Sequence, residues 1–327
     1  MGRYRCWLVV LLLGMASVIS ANPADGDAGA WIERMTRAVR SLSYEGTFVY
    51  VHGGKLESMQ VVHAAREGEE RERLISLNGM AREVIRDNKS VICILPHAKA
   101  VSVSEQDGES SFPVVLPKNL DGLADHYDFH LRGDARIAGR PAKVVVIVPK
   151  DAYRYGYRLF LDAEHALPLQ TDMLNGLGMA VAQTMFTALN VDPGIRVNTS
   201  LSSLEQDGYT RIHEDSPQQV SISSPSPWHF KYLPAGFKLS ARSQQNDPSS
   251  VGGVEHFVLS DGLATLSVYV EKMADDGTLK GKSRMGAINV YGFQLDGYQI
   301  TAVGEVPAKT VEYVANAIEQ VSSGVAQ

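Results

Sequence analysis

His126, Asp128 and His130 stand at alternate positions, and on an extended strand such residues point the same way. They are the residue types of a metal centre. At a rise of ~3.3 Å per residue, however, the two histidines lie about 13 Å apart, and ligand bonds to one ion are only ~2 Å long. The segment reads as the polar face of a half-buried strand, with no metal. Cys93 and His97 are close in sequence, but a Cys–His nucleophile needs a polar, accessible thiolate site. The flanks Val91-Ile92-Cys93-Ile94-Leu95 are apolar, so Cys93 reads as a small buried hydrophobe. Gly176-Leu177-Gly178 lacks the third glycine of a dinucleotide loop and reads as a hairpin turn. Asp275-Asp276-Gly277 lacks the spaced ligands of a calcium loop. Glu67, Glu69, Glu70 and Glu72 alternate with Arg66, Arg71 and Arg73. This cluster reads as a solvated hairpin end, with a charged docking surface as the alternative. The nucleophile elbow, the phosphate-binding loop and the zinc-protease helix motif are all missing. The residues therefore point to a binding protein that is not an enzyme and needs no cofactor.

The chain around these residues supports a folded, exported protein. Of its 327 residues, 44% are apolar and the formal net charge is −6. This excludes wholesale disorder, and the missing basic excess argues against a nucleic-acid partner. Arg3 and Arg5 precede the apolar run Cys6–Ile19, and the small residues Ser20 and Ala21 follow. A run of about 14 residues is shorter than the roughly 20 of a membrane span, and this order of parts is that of a secretory signal peptide over residues 1–21. Cleavage removes Cys6 and leaves Cys93 alone, which excludes an intramolecular disulfide.

The elements that would hold a binding surface follow from periodicity. Asp27 can cap a helix over Ala28–Ser41, with Trp31, Met35, Ala38, Val39 and Leu42 on one face. From Tyr44 the pattern changes to alternation broken by turn signals. Expected strands are Tyr44–His52, Leu56–Arg66, Arg71–Leu77, Met80–Arg86, Ser90–Leu95 and Ala98–Ser104, with hairpin turns at Gly53-Gly54 and Asn78-Gly79. A short helix is expected over Leu116–Asp125. Strands are then expected at Tyr127–Ile137, Ala142–Pro149, Arg154–Asp162, Leu167–Met173 and Met179–Val191. A serine- and proline-rich connector follows. The second unit has expected strands near Phe237–Ser243, Gly253–Ser260, Ala264–Lys272, Met285–Phe293 and Gln299–Val306, and a helix over Ala308–Val321. A long antiparallel sheet of this kind curls toward a barrel, with a helix to cover its open side.

Two apolar features could bind something. Phe48, Tyr50, Met59, Val61, Leu74, Leu77, Val84 and Ile92 lie on strands of the first unit. They either fill its core or line a cavity for a lipid or acyl ligand. Trp228, Phe230, Tyr232, Leu233 and Phe237 stand at the entrance of the second unit, with Tyr269 farther on. They serve either as packing between the units or as a partner groove.

The segments Tyr44-Glu45-Gly46-Thr47-Phe48-Val49-Tyr50, Arg71-Glu72-Arg73-Leu74, Gly139-Arg140-Pro141-Ala142, Tyr153 to Asp162 and Leu167-Pro168-Leu169 occur in the first unit. In the second are Leu233-Pro234-Ala235-Gly236-Phe237, Ser260-Asp261-Gly262-Leu263-Ala264 and Gly304-Glu305-Val306-Pro307. In this order and spacing they resemble the RseB/MucB family, periplasmic regulators of the envelope-stress sigma factor (sigma-E/AlgU). The resemblance implies an α+β fold, mainly antiparallel β. Residues 22–197 would form a large unclosed β-barrel similar to the LolA/LolB lipoprotein carriers and act as the lipid-sensing domain. Residues 198–227 would be a linker, and residues 228–322 a smaller α+β domain that binds the anti-sigma factor. The implied partner is the periplasmic domain of an RseA/MucA-type anti-sigma factor, shielded from a site-one protease of the DegS type. Lipopolysaccharide or mislocalised lipoprotein would release it through its acyl chains, and a homodimer is compatible with this scheme. The alternative is a periplasmic lipid or lipoprotein carrier.

Overall fold

The computed structural model describes residues 27–105, 122–197, 208–214, 218–222, 224–245, 253–273 and 279–321. The signal segment and most of the helix expected over Leu116–Asp125 lie outside them; Leu123–Asp125 form one 3-10 turn.

Helix α1 (Ala28–Ser41) starts where Asp27 accepts the Gly29 N–H at 2.9 Å. A capping carboxylate meets a donor that the first helical turn leaves free. The helix buries Ala28, Trp31, Ile32, Met35 and Ala38; Ala28 and Ile32 widen the expected stripe, while Val39 and Leu42 at its far end are half-buried. Six strands follow in sequence: β1 (Tyr44–His52), β2 (Lys55–Arg66), β3 (Glu69–Ser76), β4 (Glu83–Asp87), β5 (Ser90–Leu95) and β6 (Ala100–Glu105). Gly53 and Gly54, at φ +53° and +78°, make the two-residue turn between β1 and β2, a conformation that glycine adopts without steric cost.

The Asn78-Gly79 turn differs from expectation. Asn78 accepts the Ser58 N–H at 2.6 Å and donates to the Leu56 carbonyl at 3.0 Å. The chain still reverses about Gly79, with Ile75 opposite Glu83, but the loop is wider than the expected two residues. β4 then begins at Glu83, and Met80 is left 71% exposed. The charged cluster is also not uniformly solvated. Alternation sends Glu72 to one face, where it is buried beside Arg86, and Arg73 to the other, where it pairs with buried Glu83 at 2.5 Å.

A second meander comprises β7 (Tyr127–Ile137), β8 (Arg140–Pro149), β9 (Gly156–Asp162), β10 (Pro168–Leu174) and β11 (Ala180–Val191). β11 pairs antiparallel with β1 and joins the two meanders. A short strand, β12 (Thr210–Glu214), adds in parallel to β6. The result is one 12-stranded sheet in the order β12-β6-β5-β4-β3-β2-β1-β11-β10-β9-β8-β7. It is unclosed, and α1 packs against β2, β7 and β8, bridging its two halves.

The stretch expected as a bare connector thus supplies β12, and its β13 (Gln218–Gln219) pairs with the second sheet. That sheet has seven strands in the order β13-β15-β16-β17-β20-β19-β18. Its longer members are β15 (Lys238–Gln245), β16 (Val254–Ser260), β17 (Thr265–Lys272), β18 (Gly281–Met285), β19 (Ile288–Leu295) and β20 (Tyr298–Gly304). The single strand expected over Met285–Phe293 is instead a hairpin, because Gly286 turns the chain at φ +63°. Helix α2 (Ala308–Ala315) covers the sheet with buried Thr310, Val311, Val314 and Ala315. It ends earlier than expected. Ile318–Gln320 leave it as β21, which pairs with β14 (Trp228–Phe230). Ile318 is buried either way, so helical spacing alone does not reveal the exit.

Candidate functional site

The two sheets meet at the loop between β8 and β9. Arg154 sits there with its side chain fully enclosed. Its Nε donates to Asp151 at 3.1 Å, one Nη to Asp261 at 2.6 Å and the other to the Ala235 carbonyl at 2.6 Å. Asp261, equally enclosed, is fixed by accepting the N–H groups of Leu263 at 2.9 Å and Ala264 at 2.7 Å. Tyr127 donates its hydroxyl to the same carboxylate at 2.9 Å. Burial first, and the Asp261 charge second, hold this phenol above its ordinary pKa, so it stays a donor. The guanidinium lies over the rings of Phe237 at 5.1 Å and Tyr127 at 5.3 Å. Buried ions are tolerated only when their hydrogen bonds are this complete.

Further bonds cross beside this knot. Asn289 donates to the Tyr155 hydroxyl at 3.0 Å and the Val306 carbonyl at 2.8 Å, and Thr310 donates to the Tyr153 carbonyl at 2.7 Å. The Tyr313 ring lies between Tyr153 at 4.9 Å and Tyr232 at 4.7 Å. Gly236, at φ +83°, approaches the His126 ring so closely that an added Cβ would sit 2.2 Å from Nε2. The segments around Tyr153, Ala235, Asp261 and Val306, scattered in sequence, therefore converge on one junction.

Two cavities open along it. One of about 670 Å³ is walled by Val146, Val148, Pro149, Leu174, Val181 and Ala308. The other, of about 470 Å³, runs past Val51, His52, Met179 and Ala182. Both are lined by Asn175, Val181 and Arg284, so they adjoin along one groove.

The eight residues considered for a lipid cavity do not line this groove. Phe48, Met59 and Val61 are buried with Ala38, Leu167 and Phe186, and Tyr50 and Leu74 pack against that cluster. Val84 is half-buried on the same face, paired with Leu74. Leu77 is 52% exposed, beyond the end of β3. Ile92 faces the other way. It pairs with Ile85 and Val103, and packs with Ile94, Val101 and Tyr209. Cys93, expected buried, is half-buried; its strand lies three places from β2, on which α1 packs.

The six aromatic and apolar partner candidates also divide. Trp228 and Phe237 are buried in the core of the small sheet, with Phe230 and Leu233 packed against it. Tyr232 is 42% exposed at the junction, and half-buried Tyr269 stacks on His256 at 4.3 Å. The expected polar outer face of β7 is present at Asp128, which pairs with Lys150 at 3.5 Å. Sequence reasoning missed one cluster of ligand-type side chains, Asp162, Glu164 and His165. Its place for a cation is taken by Arg140, whose Nε bonds Asp162 at 2.5 Å and whose Nη2 lies 3.2 Å from His165 Nδ1. Burial pushes the Asp162 carboxyl up, but the Arg140 bond and the N–H groups of His165 and Glu164 more than offset it and hold the pKa low.

The sequence matches the MucB/RseB N-terminal domain over residues 27–209 and the MucB/RseB C-terminal domain over residues 223–319. It is 31% identical to the sigma factor AlgU regulatory protein MucB of Pseudomonas aeruginosa, covering 96% of this chain and 97% of that protein. It is 28% identical to the sigma-E factor regulatory protein RseB of Escherichia coli K12, over 99% of both. The fold superposes on a solved complex of Pseudomonas aeruginosa MucA and MucB with a TM-score of 0.71, covering 91% of this chain and 100% of that one at 31% identity.

Proposed function

The chain belongs to the MucB/RseB family, periplasmic regulators of AlgU- and sigma-E-type envelope-stress factors and not enzymes, and from that premise we propose that it binds the periplasmic domain of an RseA/MucA-type anti-sigma factor. Bound there, it shields the membrane-anchored partner from site-one proteolysis. Lipopolysaccharide or the acyl chains of mislocalised lipoprotein release it, and the unclosed large sheet is the lipid-sensing part, as in carriers of the LolA/LolB type.

One observation carries this reading. A chain of a solved MucA/MucB complex superposes on 91% of this chain, a span that takes in parts of both sheets. A carrier of lipid alone has no need of a second sheet docked through a fully bonded buried ion pair. The release step is a linkage. If lipid binds the free protein better than the complex, it weakens partner binding by the same factor that the partner weakens lipid binding.

The test uses the mature chain and the periplasmic segment of the anti-sigma factor encoded beside its sigma gene. We expect saturable binding, slower cleavage of the segment by a DegS-type protease, and lower affinity once lipopolysaccharide is added. A segment that neither binds nor gains protection defeats the proposal. Binding that lipopolysaccharide leaves unchanged defeats the release step alone.

A further inference from the structure

We propose that the groove between the domains is a binding site for a single-chain anionic amphiphile. The hydrocarbon chain lies along Val146, Val148, Leu174 and Val181, and the anionic head rests on Arg284. The regulatory proposal above would use this site, but the site itself rests on the groove's own chemistry.

Its polar groups are almost all committed. Asp151 and Arg154 bond each other, and Arg154 spends its remaining donors on Asp261 and Ala235. The Asn289 amide donates to Tyr155, Ala287 and Val306. Asn175 accepts the N–H groups of Leu177 and Met179 within its own turn. Arg284 is the exception. Its Nε donates to the Gly286 carbonyl at 2.6 Å, and among the described residues no carboxylate pairs with it. It is exposed and lines both cavities, so an anionic group can reach it while staying wet.

The walls favour a hydrocarbon over a peptide. Their strand part comes from β8, β9, β10 and β11, interior strands of the large sheet that offer no free edge, although Val181 stands at the β10–β11 bulge outside the ladder. A peptide laid in the groove would bring an N–H and a C=O at every residue, and each needs a partner when water is excluded. A hydrocarbon chain brings none. The volume of about 670 Å³ falls in the range of roughly 300–1,000 Å³ usual for small-molecule sites.

Calorimetric titration of the full mature chain, below micelle-forming concentrations, tests this with three twelve-carbon probes: laurate, dodecyltrimethylammonium and dodecyl maltoside. Laurate should bind at one site and at least about tenfold tighter than the cationic probe, the factor that ~1.4 kcal/mol represents. Arg284→Glu should invert that order. Val181→Trp, which puts bulk where the two cavities adjoin, should abolish laurate binding in a chain that still melts cooperatively. Equal affinity for the three heads, or laurate binding indifferent to both substitutions, overturns the site. So does an acidic peptide that displaces laurate by pairing along the edge of β18. Laurate binding that leaves affinity for the anti-sigma segment unchanged upholds the site and removes it from the release step.

Discussion

The large sheet is covered in two places by two different kinds of contact. Under α1 the contact is apolar and closely filled. Trp31, Ile32, Met35 and Val145 are all 2% exposed or less, and farther along the helix Ala38 packs with Phe48, Val61 and Phe186. Against the small sheet Leu263 and Ala287 reach into the same apolar cluster as Trp31 and Val145, but beside them the contact is directional: a buried Arg154–Asp261 pair, the Asn289–Tyr155 and Thr310–Tyr153 bonds, and a groove left open. A helix joined to the sheet by a short connection can settle until its side chains interdigitate. Two sheets with cores of their own meet as finished surfaces. Fixed bonds then set their orientation, and imperfect fit leaves space. In this protein ligand space belongs to the second kind of contact.

The largest expected effect tests whether the junction really depends on its ion pair. Arg154→Leu leaves Asp261 buried with only Tyr127 and two backbone N–H groups. It should cost about 3–5 kcal/mol and split thermal unfolding into separate transitions for the two sheets. A single transition with less than ~1 kcal/mol lost would erase the distinction between bonded and packed contacts. Next comes the interior. Met35→Ala opens a hole under α1 and should cost about 2–5 kcal/mol in the large-domain transition, with laurate affinity unchanged because the groove is elsewhere. Weakened laurate binding in this variant would mean that the interior and the groove are one space.

The smallest effect lies on the face of the small sheet opposite its α2-covered core. There His256 is 2.8 Å from Ser267 and stacks on Tyr269, with Ser243 on its other side. Burial holds its pKa below the usual imidazole value of 6.5. The unfolded chain therefore binds the extra proton first. The histidine's contribution is complete above pH ~6.5 and is lost as the pH falls through the lowered folded-state value. Melting temperatures between about pH 7.5 and 5 should fall more steeply for the native chain than for His256→Gln. Parallel curves would remove this residue from the pH response and leave the two large contacts as the whole account.

Much of the local structure is legible in the sequence. The ranges expected for α1, β1, β5 and β7 coincide with the observed Ala28–Ser41, Tyr44–His52, Ser90–Leu95 and Tyr127–Ile137. Each has a clear period bounded by a cap or turn residue. The misses share a cause. Asn78 bonds a strand 20 residues away, Ile318 leaves its helix to pair with Phe230, and β12 and β13 form only because edges of two sheets await them. None of these partners lies within the window that a periodicity reads. The site was half legible. Arg154 and Asp261 both stand in segments that carried the family resemblance, but 107 residues separate them, and nothing local says that they touch.

Alternation along each strand is set by backbone geometry, so the sequence by itself determined which side chains share a face, and the order of its motifs determined the family. Which face would be covered, and by what, was decided only in three dimensions. Val84 and Ile92 look equivalent as apolar strand residues, yet the first points to the side that α1 occupies and the second toward Tyr209. The same holds for the groove. Its walls are ordinary valines and leucines of interior strands, and they became a candidate site because a second sheet, anchored by one buried guanidinium, stops short of closing over them.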